Sequence, residues 1–180
     1  MKKIILIILL AAIAAAAYFI FKNEALAPDG KQNPVQITSF EECAAKYPVM
    51  ESYPRQCNTP DGKHFVENIG NANEVADLIV AESPRPNAIV KSPLTISGRA
   101  RGTWYFEASF PVRIIDANGK QLAIAPAAAQ GEWMTEEFVP FSVVLEFKTP
   151  QTATGTLILE KDNPSGLPEN ANQLEIPVKF

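Results

Sequence analysis

Residues 104–114 read WYFEASFPVRI. Every even position in this stretch is apolar: Trp104, Phe106, Ala108, Phe110, Val112 and Ile114. The odd positions include Glu107, Ser109 and Arg113. Strict alternation predicts a strand with one buried face, because successive side chains on a pleated backbone point to opposite sides. Asn118-Gly119 comes next, and both residues tolerate positive φ, which predicts a hairpin turn. Leu122 and Ile124 then resume the alternation. Val139, Phe141, Val143, Leu145 and Phe147 repeat the pattern, as do Leu157 with Leu159, and Leu174, Ile176, Val178 and Phe180. Pro111 and Pro140 lie inside such runs. Proline cannot donate to a ladder, so their strands are expected on edges or at bulges. Seven or so short strands joined by turn signals predict a mainly β chain folded as a β-sandwich.

Toward the N-terminus the patterning changes. Residues 1–22 begin MKK and continue with the uncharged run Ile4–Phe21. As a helix this run would be about 27 Å long at ~1.5 Å per residue, close to the roughly 30 Å of a bilayer's hydrocarbon core. A single-pass anchor is expected, with the N-terminus in the cytoplasm because Lys2 and Lys3 precede the run. A cleaved signal peptide is the alternative, since Ala25-Leu26-Ala27 resembles a cleavage site. Pro28 disfavours the cut. Both readings export the remainder of the chain. Residues 23–37 are polar, contain two prolines and a glycine, and read as a flexible tether.

Residues 38–71 read as a minidomain. Ser39 with Glu42 three residues on is a capping-box pattern that predicts a short helix ending near Tyr47-Pro48. The segment TPDGK signals a turn before the strand-like HFVE. Cys43 and Cys57 are the chain's two cysteines, with thirteen residues between them. An even, small count in an exported chain predicts a disulfide. Residues 38–71 also resemble short cysteine-paired segments of exported bacterial proteins. Residues 72–87, which include ANEVADLIV and SPRPN, form a linker and first strand.

Without residues 1–22 the chain holds 13 Lys and Arg against 20 Asp and Glu. That balance argues against nucleic acid, whose phosphates require cationic patches, and against tight docking on anionic lipid.

A family resemblance enters at SPLTISGRARGTWYFEASFPVRIIDANGK, then GEWMTEEFVPF, then GTLILEKDNPSGLPE and the closing LEIPVKF. Residues 89–180 resemble the immunoglobulin-like domain of bacterial spore germination proteins. The resemblance implies an immunoglobulin-like β-sandwich, at residues 88–180, lying outside the cytoplasmic membrane. It implies an accessory role in the cell envelope and no enzymatic activity. The germination role of some relatives is not carried over.

Three segments are candidate sites. EKDNPSGLPEN, residues 160–170, gathers oxygen-bearing side chains that include Asp162, Asn163 and Ser165. It lacks the alternating ligand order, central glycine and closing glutamate of an EF-hand. A structural turn is expected, with a partner-binding loop and a calcium site as alternatives. GEWMTEEFVPF offers Trp133 for stacking on a sugar ring or a protein, with half-burial at the sheet margin as the alternative. Its adjacent Glu136 and Glu137 would point to opposite faces of a strand, a poor geometry for glycoside hydrolysis. Trp104, Tyr105 and Phe106 with Arg99 and Arg101 form the third candidate. There Tyr105 falls on the face opposite Trp104 and Phe106, so Tyr105 and Arg101 are expected on an exposed face of the kind interfaces favour, with a buried strand and two solvated arginines as the alternative.

No G-x-S-x-G elbow, glycine-rich phosphate loop or dinucleotide fingerprint is present. His64 is the chain's one histidine. No metal, cofactor or catalytic residue is therefore expected. The expected function is non-catalytic binding of an envelope protein or cell-wall glycan, with an envelope glycan hydrolase and a passive spacer as alternatives. If the bridge forms on export, intact-mass analysis of the exported protein will show Cys43 joined to Cys57. Alkylatable thiol there would count against both the bridge and the export reading.

Overall fold

The computed structural model describes residues 36–180. The expected membrane anchor and nearly all of the tether lie outside the described residues. Among the described residues no helix is long and apolar enough to cross a membrane. Ser39–Phe180 forms one compact unit.

The N-terminal part of this unit is a small α+β element. Helix α1 (Phe40–Ala44) starts at Ser39, whose side chain accepts the Glu42 N–H at 3.2 Å. This satisfies one of the donors that a helix start leaves open. The helix is shorter than the sequence predicts, because Lys46 and Tyr47 both donate back to the Cys43 carbonyl and close the chain into a turn. Strands β1 (Val49–Met50), β2 (Gln56–Asn58) and β3 (His64–Val66) form an antiparallel sheet in that order. The predicted TPDGK turn joins β2 to β3, with Gly62 at φ +86°. Cys43 and Cys57 form a disulfide and are fully buried. It links α1 to β2, and closing a loop of 14 residues contributes about 3 kcal/mol through the unfolded chain.

The larger part contains strands β4 (Ile79–Ser83), β5 (Leu94–Arg101), β6 (Ser109–Asp116), β7 (Gln121–Ala129), β8 (Phe138–Leu145), β9 (Thr154–Glu160) and β10 (Gln173–Lys179). They pair antiparallel in the order β10-β9-β6-β7-β8-β5-β4. Only Ala128↔Ser142 and Ala129↔Phe141 join β7 to β8. This short seam lets a four-stranded layer fold over a three-stranded one, giving a sandwich that is nearly a barrel. The alternating inward residues meet between the layers. Phe110, Val112 and Ile114 of β6 face Ile96, Phe141 and Leu145, all at 2% exposure or less. Phe110 packs edge-on against Tyr105 and Phe141.

Three details differ from the sequence-based expectation. First, β6 with Pro111 is an interior strand rather than an edge; it does contain an irregularity, at Ile114/Ile115, but this lies away from the proline. The β6–β9 ladder begins at Val112, and Pro111 lies opposite Pro126 on β7, so the missing N–H falls where β9 no longer pairs. Second, only Gly119 has positive φ in the Asn118-Gly119 turn. The buried Asp116 carboxylate closes that turn by accepting the N–H groups of Asn118 and Lys120, each at 2.9 Å. Third, the alternation from Trp104 does not begin as a strand, because residues 102–108 form a loop at one end of the sandwich.

The small element is bound to the sandwich by polar groups. Glu67 is 7% exposed. Its carboxylate accepts from Arg55 Nε at 2.9 Å, Arg55 Nη2 at 2.6 Å and Asn87 Nδ2 at 3.2 Å. The Asn87 N–H in turn donates to Pro177 of β10 at 2.7 Å. Asn71 completes the contact, its Nδ2 donating to the Gln173 carbonyl and its Oδ1 accepting from the Glu175 N–H. Val90 donates to Lys179, and Lys179 to Ala88. The outer edge of β10 is thus covered along its length by residues 71 and 87–90, which removes an open template for strand pairing.

The hydrogen bonds from Arg55 hold the Glu67 carboxyl below its usual range. A depressed folded pKa adds stability above the unfolded value of about 4.5, which is lost as the pH falls through the folded value. Glu67→Gln is expected to destabilise the protein by about 2 kcal/mol at pH 7, and to shrink the loss of melting temperature between pH 5 and pH 3. Thermal melts across that range provide the check; an unchanged acid-side slope would contradict the assigned role.

Candidate partner-binding end of the sandwich

Strands β5, β7 and β9 finish at one end of the sandwich, where β6, β8 and β10 begin. Three loops therefore gather there: 102–108, 130–137 and 161–172. They are joined to one another by backbone contacts. Asp162 donates its N–H to the Trp104 carbonyl at 3.0 Å, and Gly102 donates to Glu137 at 3.1 Å. A Cβ on Gly102 would lie 1.9 Å from the Thr135 carbonyl oxygen and 2.2 Å from that of Trp133. Glycine is required there so that the second loop can press against the first.

The first loop opens with a short 3-10 turn, Gly102–Trp104, and then makes a tight two-residue hairpin. Phe106 and Ser109 exchange both backbone hydrogen bonds, at 3.0 and 3.1 Å. The central residues, Glu107 at φ +49° and Ala108 at φ +61°, have the mirror-type turn geometry that normally selects Asn-Gly. The pleat is therefore broken, and the side chains are not sorted by parity as the sequence predicts. Trp104 and Tyr105 are both buried, whereas Phe106 is 42% exposed. Trp104 heads the fully buried side chains by volume, and its Nε1 has no acceptor among the described residues.

These contacts relocate several expected site residues. Tyr105, expected on an exposed face, is a core residue. Its hydroxyl donates to the Val139 carbonyl at 2.7 Å, and burial pushes its pKa up to about 12. Arg101 lies at the end of β5 and is engaged within the protein. Its Nε donates to the Asp77 carbonyl at 2.9 Å, its Nη1 to the Glu136 carbonyl at 3.2 Å, and its guanidinium sits 4.3 Å from the Phe138 ring centre. Trp133 is half-buried against the core.

Asp162, Asn163 and Ser165 are in the third loop. There Ser165 Oγ donates to Asn163 Oδ1 at 2.6 Å and accepts from Asn170 Nδ2 at 3.0 Å, while Asn163 Nδ2 donates to the Leu167 carbonyl at 2.8 Å. Gly166 takes φ +66°. Asn163, Ser165 and Asn170 are thus engaged in holding a turn between β9 and β10, while Glu160 at the end of β9 pairs with Arg113 of β6. Among the described residues no group of three or more His, Cys, Asp or Glu is placed as metal ligands.

What this end presents outward is Phe106, a member of the third candidate segment, together with two side chains that the sequence reading did not single out as site residues. Phe106 in the first loop, Met134 in the second and Leu167 in the third are 42%, 74% and 50% exposed. The same three loops carry Glu107, Glu132, Glu136, Glu137, Asp162 and Glu169, with Lys161 their one base. Loop residues have no period to betray them, so only the fold could bring one apolar side chain from each loop to the same end.

Residues 78–166 match the family described as "Immunoglobulin-like domain of bacterial spore germination". This segment is a domain of that family. The match starts at the residue before β4, earlier than the sequence resemblance at residue 89, and stops within the β9–β10 loop. No curated protein and no solved structure gives a significant match to the chain.

The strained turn generates a stability prediction. Ala108→Gly is expected to stabilise the fold by about 1 kcal/mol, because a left-handed alanine costs roughly 1–2 kcal/mol and the freer unfolded chain returns part of that. This corresponds to a rise of about 3 °C in Tm. Gly102→Ala is expected to lower Tm by more than Ala108→Gly raises it. Calorimetry of the two variants tests the assignment.

Proposed function

We propose that this protein is a non-catalytic, extracytoplasmic accessory protein of the bacterial cell envelope. Residues 1–22 hold it in the cytoplasmic membrane, with the N-terminus in the cytoplasm. Its sandwich meets an envelope protein or cell-wall glycan through the loops 102–108, 130–137 and 161–172. The observation that carries this reading is the set of three exposed apolar side chains, one from each loop. Loops are where binding residues concentrate when a rigid sandwich supports them, and a central apolar group within a polar rim is the usual anatomy of a non-obligate interface.

The family match supports an envelope role, and the buried Cys43–Cys57 disulfide supports an oxidising compartment. The mutual bonding of the three loops supports a pre-organised surface, which loses little freedom on binding.

The test uses the full chain in detergent as bait in a native envelope extract, with cross-linking and mass spectrometry. A single saturable partner is expected. Joint replacement of Phe106, Met134 and Leu167 by Ser should reduce its recovery at least tenfold. The same change at Ile124 and Val144, which are exposed on the strands, should leave recovery unchanged. If no partner saturates the native chain, the domain is a passive spacer and the reading fails.

A further inference from the structure

The charge of the protein is unevenly placed. Residues 36–180 carry 18 acidic and 12 basic side chains, a net of −6. The three loops at the partner-binding end carry six acids against Lys161 alone, a net of −5. The connections at the opposite end are 84–93, 117–120 and 146–153. They carry Arg85, Lys91, Lys120 and Lys148 against Glu146, a net of +3. Glu107, Glu132, Glu136, Glu137 and Glu169 are all exposed. Of the six loop acids, only Glu137 has an opposite charge within ion-pairing distance among the described residues, so Glu107, Glu132, Glu136, Asp162 and Glu169 are left without one. Arg101, at the end of β5, approaches Glu137 at 3.8 Å.

The apolar trio and the acidic rim occupy the same end, so the two features constrain one partner together. An apolar centre favours a surface that offers its own apolar groups. A rim of net −5 favours a partner of opposite sign and repels polyanions. Polyanionic wall polymers, anionic lipid headgroups and nucleic acid are disfavoured by that rim. For stacking on a sugar ring this end offers one exposed aromatic, Phe106, and a half-buried tryptophan, whereas Met134 and Leu167 suit an apolar protein surface. We infer that this end docks a basic protein surface with an apolar centre, and that the acidic side chains select it over anionic glycan and lipid. The inference rests on the proposed partner-binding role of this end and adds the chemistry of the partner to it.

A photo-cross-linking residue placed at Met134 of the full chain, in intact cells, tests the inference directly. The same residue at Ile89, which is 72% exposed in the connection at the opposite end, is the control. The expected result is a protein adduct from position 134 and none from position 89. The cross-linked peptide of the partner should carry net positive charge beside apolar residues. Joint Glu107→Lys, Glu136→Lys and Glu169→Lys should lower the adduct yield at least tenfold. If the joint variant melts more than a few degrees below the native chain, Glu136→Lys alone is read instead, with at least a threefold loss expected.

A neutral or acidic contact peptide, a glycan or lipid adduct, or a yield unchanged by charge reversal would overturn the inference while leaving the loop end as the binding surface. Adducts from position 89 alone, or from neither position, would overturn the loop-end reading itself.

Discussion

A carboxylate with almost no access to water holds the two parts of this protein together. Glu67 comes from the small disulfide-linked element, yet one of its partners, Asn87, belongs to the segment that pairs with β10. A buried charge is costly unless its lone pairs are filled, and here Arg55 and Asn87 fill them. The requirement runs both ways. Without the sandwich the carboxylate would lose a donor, and without the small element β10 would lose Asn71 and the group that orients Asn87. The disulfide keeps the small element compact enough to present Glu67 at the right place.

Much of the sandwich is legible in the sequence because its strands bury one face. From Phe110 to Ile114 the alternation matches the burial, as it does along β8 and β10, since each inward residue meets the opposing layer. It fails at residues 104–108, where two consecutive left-handed residues occur in Glu107 and Ala108, a pair with no glycine or asparagine to announce the turn. Tyr105 lies in the core rather than on an exposed face for that reason. The capping serine and the PDGK turn are readable because their chemistry is local. The binding of the small element to the sandwich is not. It depends on the side-chain amides of Asn71 and Asn87, and the Asn71 contacts span 102 and 104 residues of sequence. No local pattern records such a pairing.

The candidate site shows the same division. The loop EKDNPSGLPEN is recognisable as a turn, and in the structure Asn163, Ser165 and Asn170 hold it by side-chain hydrogen bonds. Of the residues the fold leaves outward, Phe106 reads in the sequence as one step of a strand, and Met134 and Leu167 as ordinary apolar residues. They acquire meaning only from the strand directions, which carry three loops to one end and gather most of the net negative charge with them.

The family match ends at residue 166, before β10 begins at Gln173. The final strand is needed to finish the four-stranded layer, and its outer edge is finished by Asn71, which precedes the match. The recognisable module and the self-sufficient module are therefore different lengths of chain. A gene fusion that moved only the recognisable segment would carry a sandwich lacking its last strand and the cover for that strand. A fragment built for study therefore needs residues 39–180, because a cut at residue 78 or 166 removes Asn71 or β10 from the edge they complete.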